Sequence, residues 1–306
     1  MLRQFTKTLL GSLSALSFSA CAPVTMLNAM VPESGYQHQA DIIYGDHERL
    51  KLDIYQPVGL MDTQNPATVV FFYGGGWEAG EKADYKFVAE ALTSQGIIVV
   101  IPDYRVFPEV LFPVFIEDAA KAVAWTIKHI AEFGGDPDQL FIGGHSAGAH
   151  IAAMLSVNPE YLQQVGLQPR QLRGMFGLAG PYDFLPLKSN TLKQIFGDDA
   201  SQWQSQPVNF IREDHPPTLL LVGKNDRTVL PRNSYRLAEK LKKHGNSVEL
   251  VEFNNYGHVA MVAKLAKPLR GDGALLRPIV NFVEKHRGMS FSAKASALLK
   301  AASTRP

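Results

Sequence analysis

Ser146 lies in the pattern G-x-S-x-G, formed by the run Gly144-His145-Ser146-Ala147-Gly148. The pattern arises often by chance, so its flanking residues decide what it means. An apolar run at residues 139–143 precedes it, and a helix-forming run at residues 149–155 follows it. A strand, a sharp turn and a helix are typical of a nucleophile elbow, in which a strained turn exposes the serine hydroxyl. We therefore predict that Ser146 is a nucleophile.

A serine hydroxyl needs a base to accept its proton, and the base needs a carboxylate to orient it. In an elbow arrangement these partners follow the serine along the chain, first the acid and then the histidine. Asp226 comes just after the apolar run at residues 219–222, at the carboxyl end of a predicted strand, where sites form in parallel sheets. His258 lies in a short loop after the predicted strand at residues 248–253. We predict a catalytic triad of Ser146, Asp226 and His258.

Other residues compete for the acid and base roles. Asp183 follows the preceding strand and is the alternative acid, whereas Asp198 and Asp199 fall in a segment where we expect them to be solvated. Five other histidines compete for the base role and are expected on helix surfaces, before the acid in chain order, or packed beside the nucleophile. They are His244, His286, His215, His145 and His150.

The negative oxygen formed during acyl transfer needs N–H donors. Ala147 offers its backbone N–H, because it follows the nucleophile at a helix N-terminus. The run Phe72-Tyr73-Gly74-Gly75-Gly76-Trp77 follows a predicted buried strand. Glycines let a backbone approach closely and turn its N–H groups inward. We predict an oxyanion hole formed by Gly75, Gly76 and Ala147.

Composition and charge narrow the class of protein. The formal net charge is +1 with no long run of one sign, which gives no support to nucleic-acid binding. The chain has one cysteine, Cys21, so an intrachain disulfide cannot form. The sequence has no H-E-x-x-H motif, no cysteine pair and no phosphate-binding glycine loop. We therefore predict neither a metal nor a cofactor.

Residues 1–21 have the features of a bacterial export signal, with two early basic residues and an apolar run at residues 9–18. The run Phe18-Ser19-Ala20-Cys21 resembles the lipobox of bacterial lipoproteins, in which Cys21 becomes lipidated after cleavage. The alternatives are an ordinary A-x-A cleavage site at residues 20–22 and an uncleaved anchor. We expect an exported lipoprotein attached to a membrane through Cys21, with the outer membrane or periplasm favoured.

The rest of the chain predicts the elements that position these residues. A hairpin is followed by alternating strands and helices, which predicts a mostly parallel sheet with helices on both faces. The predicted strands lie at residues 40–44, 50–55, 67–72, 97–101, 139–143, 174–178, 218–222 and 248–253. The predicted helices lie at residues 84–94, 115–132, 149–155, 233–244 and 275–286.

This alternation predicts one α/β domain at residues 39–287, after a polar tether at residues 22–38. Residues 181–217 break the alternation and carry many large apolar side chains, so we predict a small cap insertion over the site. Residues 288–306 are small, polar and slightly basic, and we predict a flexible tail.

The run Tyr73-Gly74-Gly75-Gly76-Trp77 resembles the HGGxW oxyanion motif of the α/β-hydrolase esterases and lipases. Tyr73 stands where that group has a histidine that braces the loop, so this departure concerns bracing and not the triad. Segments at residues 52–57, 103–105 and 133–137 are similar to the same group. The resemblance covers residues from about 40 to 286 and implies an α/β-hydrolase fold.

Within that group, residues 103–108, 144–151 and 268–272 resemble the prenylcysteine methylesterase-like carboxylesterases. Arylformamidases and feruloyl-esterase-like enzymes share many of these motifs. The resemblance implies a serine hydrolase that cleaves small-molecule carboxylic esters through an acyl-enzyme, without a cofactor. The alternatives are an arylformamidase-like amide hydrolase with the same triad and a non-catalytic binding protein on the same fold.

Overall fold

The computed structural model describes residues 27–59 and 66–288, and within them eight strands form one sheet. Its order is β1-β2-β4-β3-β5-β6-β7-β8. The first two pairings, β1 with β2 and β2 with β4, are antiparallel, and all the others are parallel. The strands are β1 Tyr36–Ile43, β2 Lys51–Pro57, β3 Thr68–Phe72, β4 Ile98–Pro102, β5 Leu140–His145, β6 Gly174–Leu178, β7 Thr218–Gly223 and β8 Val248–Phe253.

The helices follow the strands in the predicted alternation. The α-helices are α1 Lys86–Thr93, α2 Val114–His129, α3 Ala147–Val157, α4 Pro159–Gln163, α5 Asn190–Phe196, α6 Asp199–Gln204, α7 Arg232–Lys243, α8 Ala260–Ala263 and α9 Leu276–His286. Short 3₁₀ helices cover Lys82–Tyr85, Ile130–Phe133, Pro137–Gln139, Pro169–Gln171 and Pro207–Phe210.

The strand order explains why helices cover both faces of the sheet. The chain moves one way from β3 to β4 and then reverses, passing from β4 across β3 to β5. Right-handed crossover connections therefore place α1 on one face and α2 on the other. Helix α3 packs against α2, and α9 packs against α1. This arrangement confirms the predicted α/β-hydrolase fold class, with a mostly parallel sheet between two helical layers.

Five central strands, β3 to β7, are buried along their whole length. Helices cover both of their faces, so these strands read as continuous apolar runs instead of alternating ones. The core built around them holds the carboxyl ends of β5, β7 and β8 at one edge of the sheet. That edge carries the loops with Ser146, Asp226 and His258.

The start of the folded domain differs from the predicted boundary at residue 39. Strand β1 begins at Tyr36, inside the predicted tether. Val31 is buried, and the Asn28 side chain donates to Ala83 O at 2.7 Å and accepts from Phe87 N at 3.3 Å. The second half of the predicted tether is therefore packed on the domain. Polar composition alone did not reveal this, because only a few side chains make the contacts.

Both ends of the chain lie partly outside the described residues, including Cys21 and residues 289–306. At the carboxyl end, Gly288 N donates to Gln139 Oε1 at 2.8 Å. Among the helices within residues 27–59 and 66–288, none has the length and apolar character needed to cross a bilayer.

The segment predicted as a cap contains helices α5 and α6 and the 3₁₀ helix Pro207–Phe210. Its aromatic side chains pack on the glycine loop. The Phe196 and Phe184 rings lie 4.8 and 5.7 Å from the Trp77 ring, measured between centroids. Residues 181–217 are therefore attached to the domain beside the loop that was predicted to bind the oxyanion.

Candidate functional site

Ser146 connects β5 to α3 in a backbone conformation that non-glycine residues rarely adopt, with φ 55° and ψ −121°. Its N–H donates to Leu178 O at 3.0 Å, which ties the turn to β6. Gly148 allows α3 to approach the neighbouring strand, because a Cβ there would lie 2.0 Å from Phe72 O. The local sequence therefore forms the sharp turn that the G-x-S-x-G pattern predicted.

The three predicted triad residues meet in one hydrogen-bonded chain. His258 Nε2 lies 2.9 Å from Ser146 Oγ, and His258 Nδ1 lies 2.8 Å from Asp226 Oδ2. A carboxylate accepts hydrogen bonds, so Nδ1 carries the proton and Nε2 is free to accept the serine proton. The residues come from loops after β5, β7 and β8, as the chain order predicted.

Asp226 is buried and its second carboxylate oxygen is also occupied. Oδ1 accepts hydrogen bonds from Thr228 N at 2.9 Å and from Val229 N at 2.8 Å. These two N–H groups fix the carboxylate plane, so that Oδ2 points at His258. A buried carboxylate that accepts three hydrogen bonds keeps one orientation.

The glycine loop lies against the nucleophile. A Cβ on Gly74 would be 3.1 Å from Ser146 Cβ. Gly75 has φ 141°, and a Cβ there would lie 1.9 Å from Ala79 O, so only glycine fits. Among the described residues, no group accepts a hydrogen bond from the N–H of Gly75, Gly76 or Ala147. Gly74 therefore brings the loop against Ser146, and the three predicted donors remain available.

Tyr73 supports this loop from behind. Its side chain is fully buried, and its hydroxyl accepts from Arg49 Nη2 at 3.2 Å. The Tyr73 and Tyr104 rings stack with centroids 4.4 Å apart, and Tyr104 OH donates to Tyr73 O at 2.7 Å. Arg49 also donates to Gly80 O, at 2.6 Å, which holds the far side of the loop. Tyr73 therefore braces the loop.

His150 links the glycine loop to the cap. Trp77 Nε1 donates to His150 Nδ1 at 3.2 Å, and His150 Nε2 donates to Ser205 O at 2.7 Å. Burial lowers the pKa of His150 to about 4, so the ring is neutral at pH 7. His150 therefore joins Trp77 to the cap, and its ring nitrogens are both occupied.

The competing aspartates, and the histidines at 215, 244 and 286, have other partners or positions. Asp183 Oδ2 pairs with Arg236 Nη1 at 2.8 Å, and Asp198 accepts from Ser201 N at the start of α6. Asp199 is exposed. His215 accepts from Arg212 N. His244 and His286 lie at the ends of helices α7 and α9.

Several supporting residues were missed by the sequence reasoning. Arg49, Tyr85 and Ser205 contact the loop or the histidines around it, yet each lies far from the motifs in the chain. No local pattern marks them, since their role depends on the fold. In residues 27–59 and 66–288, no group of three or more histidine, cysteine, aspartate or glutamate side chains is placed to hold a metal ion.

The sequence profile of the BD-FAE family matches residues 52–241, well over half of the 306 residues. The chain belongs to the BD-FAE family. The matched span includes Ser146 and Asp226 and ends before His258. The hydrogen bond between Asp226 and His258 connects the matched span to the loop that follows β8.

Individual relatives are named as an esterase and as a formamidase. The chain is 31% identical to the probable isoprenylcysteine alpha-carbonyl methylesterase ICMEL1 of Arabidopsis thaliana, over 75% of this chain and 52% of the relative. It therefore spans about half the length of that plant protein. It is 25% identical to the kynurenine formamidase of Danio rerio, over 74% of this chain and 76% of the relative.

Among solved structures, the apo form of esterase 2 from Thermogutta terrifontis superposes with a TM-score of 0.66. The two sequences are 26% identical, and the match covers 83% of this chain and 94% of that one. This likeness and the family membership agree with the α/β-hydrolase fold of esterases seen in the sheet order.

Proposed function

We propose that this protein is a serine hydrolase that cleaves carboxylic esters of small molecules. The observation that carries the proposal is the hydrogen-bonded chain from Ser146 through His258 to Asp226, together with three backbone N–H groups that have no acceptor among the described residues. The family membership and the relatives named as esterases support the same reaction. A protein that only binds a ligand does not need a serine, a histidine and an aspartate aligned in this way.

The reaction follows from the protons that each group carries. Ser146 Oγ attacks the ester carbonyl carbon while His258 Nε2 accepts the hydroxyl proton. The same nitrogen then donates this proton to the leaving alkoxide, which gives the acyl-enzyme and the alcohol. A water molecule repeats the sequence, releases the carboxylic acid and restores Ser146. Asp226 holds the ring and stabilises the imidazolium in both halves.

The oxyanion is stabilised separately. As the carbonyl oxygen gains charge, the N–H groups of Gly75, Gly76 and Ala147 are the donors that we assign to it. Such donors contribute about 3 kcal/mol each to lowering the barrier, because they are already oriented before the reaction begins. The bracing of the loop by Tyr73 and Arg49 supports this assignment, since the donors must not move.

The test is hydrolysis of p-nitrophenyl acetate, butyrate, octanoate and palmitate by the folded domain, beside its Ser146→Ala variant. We expect ester turnover that the variant lacks, with the same melting temperature for both proteins. The ester with the highest kcat/KM measures the length of the acyl site. Absence of serine-dependent turnover on every ester would contradict the proposal.

A formamide is the second candidate substrate, because the Danio rerio relative is named a kynurenine formamidase. The same triad serves an amide, and only the leaving-group site distinguishes the two reactions. An aryl formamide assayed beside the esters decides between them. Turnover of the formamide with no ester turnover would replace the ester assignment.

We also propose that the chain is exported and lipidated at Cys21, with the outer membrane or periplasm as its location. The support is the basic, apolar and small-residue order of residues 1–21 together with the lipobox-like run before Cys21. Metabolic labelling with a fatty acid should mark the wild type and not Cys21→Ser. Equal labelling of the two would contradict this proposal.

A further inference from the structure

Tyr85 joins the glycine loop to the residue before the nucleophile. Its hydroxyl oxygen lies 3.0 Å from Gly74 N and 3.2 Å from His145 Nδ1. On the other side of the ring, His145 Nε2 lies 3.2 Å from the carbonyl oxygen of His258. One chain of hydrogen bonds therefore runs from the glycine loop through Tyr85 and His145 to the loop of the catalytic base.

The direction of every hydrogen bond in this chain is fixed by chemistry. Gly74 N–H can only donate, so the Tyr85 oxygen accepts from it and its own proton is free to go to His145 Nδ1. The His258 carbonyl can only accept, so His145 carries its proton on Nε2. The neutral tautomer with Nε2–H satisfies both contacts.

Burial keeps His145 in this neutral form. Desolvation is the main cause that lowers the pKa of His145 to about 3, and the neighbouring His258 lowers it further. The His145 and His258 rings lie 4.8 Å apart between centroids. Both nitrogens of this neutral ring are occupied, by Tyr85 and by the His258 carbonyl, so its contribution is orientation.

We propose that Tyr85 and His145 are positioning residues that hold the oxyanion loop and the His258 loop in register around Ser146. This inference rests on the proposed hydrolase function. Gly74 comes one residue before the first oxyanion donor, and His145 comes one residue before the nucleophile. Displacing either loop moves a group that contacts the transition state. Binding of the ground-state ester depends less on the exact position of that group.

The chain offers variants that remove hydrogen bonds and keep packing. Tyr85→Phe deletes the hydroxyl and retains the ring, which packs 5.9 Å from Phe71 and 5.8 Å from Phe87 between centroids. His145→Leu deletes both contacts of the imidazole. His145→Gln keeps an N–H donor for the His258 carbonyl and loses the acceptor for Tyr85.

The measurements are kcat and KM for p-nitrophenyl butyrate and the inhibition constant of a boronic acid, which forms a tetrahedral adduct with a serine. Titration with a fluorophosphonate gives the concentration of active sites. We expect Tyr85→Phe and His145→Leu to lower kcat per site by about tenfold or more, with little change in KM. The boronic acid should bind more weakly by the same factor as the loss of kcat/KM.

Two comparisons separate positioning from a structural role. The double variant Tyr85→Phe, His145→Leu should lower kcat per site little more than either change alone, because both changes interrupt the same chain of hydrogen bonds. His145→Gln should recover part of the activity that His145→Leu loses. A variant that merely unfolds would lower the number of titrated sites and leave kcat per site unchanged.

Tyr36→Phe is the matched control. Tyr36 is buried on β1, with three strands between it and β5, and its hydroxyl has no hydrogen-bond partner among the described residues. It should keep wild-type kcat and inhibitor affinity. If Tyr85→Phe and His145→Leu also kept both values per titrated site, the positioning role would be wrong and the hydrolase proposal would stand. A wild type without turnover dependent on Ser146 would overturn both.

Discussion

Each residue of the triad has a role set by the hydrogen atoms it can give or accept. Asp226 accepts three hydrogen bonds and donates none, so His258 must turn its protonated Nδ1 toward it. This leaves Nε2 facing Ser146 as an acceptor. The orientation of the His258 ring is thus fixed by Asp226.

Asp226→Asn should lower kcat by about 10,000-fold, because an amide can donate to Nδ1 and so favour the wrong tautomer of His258. Thermal stability should change little, since the amide has the same shape. Asp183→Asn is the control, as this carboxylate pairs with Arg236 and not with a histidine. Comparable losses of kcat in the two variants would contradict the assignment of the acid.

His150 predicts a dependence of stability on pH. Its pKa is about 4 in the folded protein and near the ordinary 6.5 when unfolded. Below pH 6.5 the unfolded chain therefore binds a proton that the folded protein rejects, so stability falls as the pH drops toward 4. Between pH 7 and pH 5 this one group should lower the free energy of unfolding by about 2 kcal/mol.

Urea denaturation at pH 7 and pH 5 tests this effect in the wild type and in His150→Gln. The variant is less stable at both pH values because it alters contacts with Trp77 and Ser205. The drop between the two pH values should nevertheless be smaller in the variant. An equal drop in both proteins would show that His150 titrates normally.

The glycine loop between β3 and α1 can form only because its backbone at Gly75 passes very close to the backbone of Ala79. Gly75→Ala should lower kcat/KM by about 100-fold or more, because its Cβ would collide with Ala79 O and displace an oxyanion donor. Gly166→Ala is matched in having positive φ, 78°, but has open space around the new Cβ. It should lose stability and retain activity per titrated site, as measured by p-nitrophenyl butyrate hydrolysis. Equal activity in the two variants would contradict the role of the loop.

Strands and helices with a strong hydrophobic pattern in the sequence were predicted close to their observed bounds. The buried strands β3 to β7 read as apolar runs because both faces are covered, and the helices between them have clear boundaries. The meeting of Ser146, His258 and Asp226 was predicted because strand ends, chain order and residue type all agree. Helices α5 and α6 were not predicted individually, since the cap is held by aromatic contacts with Trp77 that no periodicity reveals.

The contacts around the site could not be predicted for a different reason. The Tyr85 hydroxyl lies against Gly74 and His145, which are 11 and 60 residues away along the chain. Arg49 reaches Tyr73 from a turn between the first two strands. Only the strand order β2-β4-β3-β5 brings these segments to one edge.

At the scale of the whole molecule, a buried ion pair ties the loop after β4 to α2. Arg105 Nε and Nη2 each lie 2.8 Å from an oxygen of Asp118, whose side chain is fully buried. Arg105→Ala should lower the free energy of unfolding by about 3 to 5 kcal/mol, because it leaves the carboxylate without its main partner. Denaturant titration measures the loss.

The control is Arg277→Ala, which breaks the pair with Asp272 on the surface, where both side chains are more than 60% exposed. Exposed pairs contribute about 0 to 1 kcal/mol, so this variant should unfold close to the wild type. If Arg277→Ala lowered the free energy of unfolding as much as Arg105→Ala, the contribution of an ion pair to stability would not depend on its burial.

If Ser146 is a nucleophile activated by His258, its hydroxyl should react with a fluorophosphonate. Intact mass and peptide mapping should show one adduct, on Ser146, formed rapidly at pH 7. His258→Gln should react at least about 1,000-fold more slowly, because the serine then lacks its base. An adduct on another residue, or an unchanged rate in His258→Gln, would contradict the account.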